Sequence, residues 1–153
     1  MSGFMTINDF DPGPNTIPNS AVRSGIDYNK VGQAILLRHD FGYLAGDEPS
    51  ASKTVQMIEC YSAGKILLPN ALLYDVGTGT DLDFDIQKNG STILSSPINL
   101  TDSDTSKQAK SGTFTSNDVA AGDFIEFILT HTSSTDALGS LLWCWLIQTL
   151  PSV

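Results

Sequence analysis

Seven consecutive apolar residues near the C-terminus, Leu141-Leu-Trp-Cys-Trp-Leu-Ile147, set the hardest condition on any fold of this chain. In a strand, side chains alternate, so Leu141, Trp143, Trp145 and Ile147 share one face while Leu142, Cys144 and Leu146 share the other. Neither face suits water, and a strand of this kind is covered on both sides. The run is far shorter than the roughly 20 residues that span a bilayer, so no membrane partner is expected. In a two-sheet protein with one solvated face per sheet, the second cover has to be another subunit. The expectation is a homo-oligomer, a trimer in preference to a dimer, with Leu141, Trp143, Trp145 and Ile147 at its interface.

The rest of the body also reads as strands. Asp81-Leu-Asp-Phe-Asp-Ile86 alternates strictly and places Leu82, Phe84 and Ile86 on one face. Asn89-Gly90 then suits a type I′ hairpin turn, since both residues tolerate positive φ, and Ser91-Thr-Ile-Leu94 is the returning strand. Ala34-Ile-Leu-Leu-Arg38, Lys53 to Tyr61, Lys65 to Val76, Gly112 to Thr115 and Phe124 to His131 supply further β-forming runs between turns. Pro69 interrupts one of them and marks an edge or a bulge, because it cannot donate a ladder hydrogen bond. Ala120-Ala-Gly-Asp123 is a tight turn. About eight short strands without a convincing helix or internal repeat predict an all-β fold, a β-sandwich of jelly-roll type.

The first 32 residues differ. Asn8-Asp-Phe-Asp-Pro-Gly-Pro-Asn15 and Pro18-Asn-Ser20 break any periodicity. Phe4, Ile7, Phe10 and Ile17 are isolated apolar anchors. The division is an extended N-terminal arm over residues 1–32 and a sandwich body over residues 33–153. At about 3.3 Å per residue the arm reaches on the order of 100 Å. It cannot build its own core, so it is expected to become ordered on a partner.

Composition narrows the partners. Eight basic against 17 acidic residues give a net charge of −9, so phosphate-rich nucleic acid is not an expected partner. Charged residues make up only 16% of the chain, against roughly 25% in ordinary soluble domains. That shortfall fits a surface partly covered by other proteins. The opening Met1-Ser-Gly-Phe4 has no basic stretch followed by an apolar one, so no secretory leader is expected, and the chain reads as soluble. Cys60 and Cys144 sit in apolar runs and read as small buried residues, with a disulfide left open.

Candidate chemistry is sparse. His39-Asp40 is an adjacent pair without a nucleophile in a defined turn. Gly77-Thr-Gly-Thr80 precedes a strand, so no helix dipole favours an anion there. Asp81, Asp83 and Asp85 lie along one strand, where carboxylates diverge, and read as a solvated face in preference to a cation site. Asn89-Gly-Ser91 and Asn99-Leu-Thr101 match the glycosylation pattern, which means little without a leader. No catalytic, cofactor or metal residues are expected, and the chain does not read as an enzyme.

Three stretches carry a resemblance: Gly64-Lys-Ile-Leu-Leu-Pro-Asn-Ala71, Gly79 to Leu94 with its Asn-Gly hairpin, and Val119-Ala-Ala-Gly-Asp-Phe-Ile-Glu-Phe127. Over a little more than half its length the chain resembles the small β-sandwich proteins of tailed-bacteriophage particles. These include head decoration (cement) proteins, head fibres and tail-fibre modules. The resemblance implies a virion protein on the outer capsid surface, soluble in the host cytoplasm before assembly. Its partner would be the major capsid protein, and its role to stabilise the shell by bridging neighbouring capsid subunits. The alternative is a receptor- or glycan-binding fibre or tail module using residues 102–110 and 132–138.

Overall fold

The computed structural model describes residues 33–42 and 51–149, and among them every regular element is a strand. In chain order these are β1 (Gln33–Asp40), β2 (Lys53–Glu59), β3 (Gly64–Asp75), β4 (Thr78–Lys88), β5 (Ser91–Thr92), β6 (Ile98–Thr101), β7 (Lys110–Ser111), β8 (Asp118–Val119), β9 (Phe124–Thr135) and β10 (Leu138–Gln148). The proposed arm, with Phe4, Ile7, Phe10 and Ile17, lies outside the described residues.

The strands form two antiparallel sheets. In the first, β1, β10 and β3 lie side by side, and β7 and β8 pair with successive parts of the far edge of β3. In the second, β2, β9 and β4 are adjacent, with β5 and β6 both on β4. One core lies between them. Leu37, Ile66, Leu73, Leu142, Cys144 and Leu146 come from the first sheet; Leu82, Phe84, Ile86, Ile125, Phe127 and Leu129 come from the second. Strict alternation in β4 places Leu82, Phe84 and Ile86 inward, all fully buried, as their spacing predicts.

The hairpin after β4 has the expected geometry. Asn89 and Gly90 have φ of 51° and 77°, values a type I′ turn requires. The returning strand is shorter than the sequence implies, since only Ser91 and Thr92 pair with Lys88 and Gln87. Leu94 then bridges to Phe114 in place of β4.

This hairpin turn is tied to the Ala120–Asp123 turn. Asn89 exchanges backbone and side-chain bonds with Phe124, and its amide donates to Asp123 Oδ1 at 2.7 Å. The Ala120 N–H donates to Asp123 Oδ2 at 2.8 Å. Those two donors hold the Asp123 carboxyl below its ordinary range, with Lys88 adding a weaker attraction. A depressed carboxyl contributes stability above its ordinary value near 4, and that contribution is lost as pH falls through the lowered value. Asp123→Ala is expected to cost about 1–2 kcal/mol at pH 7. Urea melts at pH 7 and pH 3 should then show a smaller acid-induced loss in the variant than in the parent.

Candidate functional site

The outward residues of β4 in the second sheet and of β10 in the first are chemically opposite. On the second sheet the outward residues of β4 are Asp81, Asp83 and Asp85. The sequence reading of a solvated acidic face holds for Asp81 and Asp83, which are half-exposed, and needs correction at Asp85. Asn99 donates to both Asp81 (2.7 Å) and Asp83 (3.0 Å), while Thr92 (2.6 Å) and Gln87 (3.2 Å) donate to Asp85, which is buried. Neutral donors, Asn99 and Thr92 on neighbouring strands and Gln87 on β4 itself, therefore take up the carboxylates. No group of three or more His, Cys, Asp or Glu side chains among the described residues could hold a metal ion.

On the first sheet the register of β1, β10 and β3 aligns the outward residues in rows. Ala34, Ile147 and Lys65 form the first row, and Leu36, Trp145 and Leu67 the second. Arg38, Trp143 and Asn70 form the third, and Asp40, Leu141 and Leu72 the fourth. All four residues expected at an oligomer interface thus lie on one outward face. Trp145 is 39% exposed and Ile147 37%, whereas Leu142, Cys144 and Leu146 on the opposite side of β10 are fully buried. Among the described residues, one side of this strand is covered, while on the other Trp145 and Ile147 are exposed and Leu141 and Trp143 half-buried.

The sequence reading missed the most exposed member of this surface. Trp143 pairs with Asn70 and Trp145 with Leu67, so Leu68 and Pro69 together oppose Cys144 in a β-bulge. Pro69 marks this bulge, as its missing N–H allows. Leu68 has a φ of 54° and is 66% exposed, the highest exposure of any large hydrophobic residue described. It lies between the stretches of β3 that pair with β7 and with β8. Beside it, Leu67, Ile147 and the Ala63–Gly64 backbone line an open, mainly apolar recess of about 370 Å³. Gly64 is needed there, because a Cβ at that position would sit 2.1 Å from the Ile147 carbonyl oxygen.

Charges around this face pair locally. Arg38 lies 3.3 Å from Asp40, and Lys65 lies 2.6 Å from Asp118, whose carboxyl is held low by that lysine. The remaining candidates do not converge. His39 points towards Phe41, with ring centroids 4.7 Å apart, while Asp40 pairs with Arg38 on the outward face. The Gly77 and Gly79 amides donate to the carboxylates of Asp75 and Asp102. Cys60 and Cys144 are buried free thiols, and burial pushes Cys144 up to about 12.

The loops of the alternative reading are drawn to one end of the molecule. Asp102 and Ser133 both bond the Gly79 backbone, and the Lys107 ammonium stands 4.4 Å from the Tyr74 ring centroid. No helix among the described residues is long and apolar enough to cross a membrane. No protein-family model matches this chain, and no curated protein matches it.

Proposed function

We propose that this chain is a structural protein of a virus particle, a cement protein that decorates a capsid and stabilises it by bridging neighbouring major capsid proteins. The observation that carries the reading is the open, mainly apolar face of the first sheet, on a chain whose net charge is −9. An extended surface containing two Trp residues is an association site. In this reading it joins copies of the chain into a homo-oligomer, and the arm over residues 1–32 fastens that oligomer to the shell. The arm leads into β1, the edge strand of that same sheet.

The nested strand order supports a jelly roll as the body. The first strand pairs with the last, the second with the next to last, and successive strands fall in alternate sheets through β4. The two turns that carry the resemblance to phage virion proteins are hydrogen-bonded together, which supports treating them as one unit of this architecture.

Stabilisation then follows from mass action. A protein that binds the assembled shell and not free capsid subunits adds its binding free energy to the assembled state. Particles prepared with the protein are expected to retain their genome to higher temperature than particles prepared without it, as read by dye access to released nucleic acid. Equal release temperatures would overturn the cement role. A glycan-binding module would instead use the loop cluster around Tyr74 and Lys107, and would be recovered on sugar arrays.

A further inference from the structure

We infer that the open face of the first sheet is a two-fold contact between two copies of this chain, anchored by the bulge residue Leu68 of each copy. The inference rests on the reading of that face as an oligomer contact and not on the capsid role.

The first argument is strain without an internal return. Leucine at positive φ is uncommon, and a residue preceding proline favours extended backbone. Leu68 adopts the left-handed conformation and then leaves its side chain in solvent. Glycine would fit this backbone at no steric cost. A backbone outlier that presents a large apolar side chain outward points to a contact beyond the chain.

The second argument is self-complementarity. Leu68 directly follows Leu67, which with Ile147 and Gly64 lines the recess on the same sheet. A projection beside a hollow matches its own copy under a two-fold rotation, each leucine seating in the other copy's recess. A closed ring of three would need two different patches on each subunit, one meeting the other. This face supplies a single continuous patch, with the Leu36–Trp145–Leu67 row at its centre.

The third argument is charge. A net charge of −9 opposes association of two copies, yet this face does not carry the excess. Arg38 with Asp40, and Lys65 with Asp118, place opposite signs side by side at its rim. A second copy therefore meets neutral pairs in place of like charge. The carboxylates Asp81, Asp83 and Asp85 lie on the far side of the molecule.

Three strands at about 4.8 Å spacing make a modest footprint, so a contact that dissociates in the micromolar range is expected. Light scattering of the full chain over a dilution series should show a dimer passing to monomer. Leu68→Gly and Trp145→Glu should each weaken dimerisation at least tenfold. Leu68→Gly should do so while melting at or above the parent's temperature when both are monomeric, because it relieves the backbone; this guards against reading misfolding as lost contact. A trimer, or a monomer at every concentration with the face covered by the chain's own N-terminal residues, would overturn the inference. So would an undiminished dimer in Leu68→Gly. A dimer that fails to stabilise particles would overturn the cement role alone, and a monomeric Leu68→Gly that still stabilises them would leave that role standing.

Discussion

Phe84→Ala is expected to lower the unfolding free energy by about 3–5 kcal/mol, as measured by chemical denaturation of the parent and the variant. Phe84 is fully buried at the middle of β4, the strand that carries β9 on one edge and both β5 and β6 on the other. Its ring meets Phe41 edge-on at 6.1 Å between centroids, linking the second sheet to the residue that follows β1 of the first. Truncation removes the ring's burial and leaves a cavity that strands hydrogen-bonded on both sides of β4 cannot close. For a domain of this size the loss corresponds to a fall in Tm on the order of 10–20 °C. Trp145 supplies the contrast. It is as large a side chain, but it is 39% exposed on the outward face, so Trp145→Ala should change the melt of the monomer far less. Comparable losses from the two substitutions would mean that the outward face is packed within the chain.

These two residues also mark what could be read from sequence. Alternation alone fixed the inward side of β4 and divided residues 141–147 into their two sets, because each strand's period is local and unbroken. The Asn89-Gly90 turn was legible for the same reason, since its backbone demands are met by the two residues themselves. Partnership was not legible. That β10 lies between β1 and β3 depends on contacts 63 to 115 positions apart, and no local pattern encodes them. β7 and β8 are two residues each, too short for periodicity to register. Asp85 was misjudged because one of its donors, Thr92, is brought alongside only by the hairpin register, while Gln87 lies two residues further along the same strand. Leu68 was missed because nothing in Leu-Leu-Pro announces a left-handed leucine. Pro69 gave the bulge, but not which neighbour would absorb the extra residue.

Deleting residues 1–30 is expected to leave the body folded and self-associating while cutting its occupancy on purified shells at least tenfold. Among the described residues, the core that joins the two sheets draws on side chains from Leu37 to Leu146, all within the part that the deletion keeps. Attachment is another matter. Burying Phe4, Ile7, Phe10 and Ile17 would supply roughly 6–12 kcal/mol in all. Ordering thirty backbone residues costs several times that at about 1–2 kcal/mol each. Anchors alone therefore hold only short stretches around themselves, and a fully laid arm must also recover backbone hydrogen bonds from the capsid surface. Two consequences separate these cases. If short anchored stretches carry attachment, Phe10→Ala should remove a large share of the effect of the whole deletion. If strand-like pairing with the shell carries it, Phe10→Ala should matter little, while proline placed at Thr6 should approach the deletion. Two arms in one oligomer raise the effective concentration of the second once the first is bound, so a monomeric body with an intact arm should also lose occupancy. Co-sedimentation with shells, read beside a thermal melt of each variant, decides among these outcomes. Unchanged occupancy after deletion would remove the arm from the mechanism, and a collapsed melt would place residues 1–30 in the fold itself.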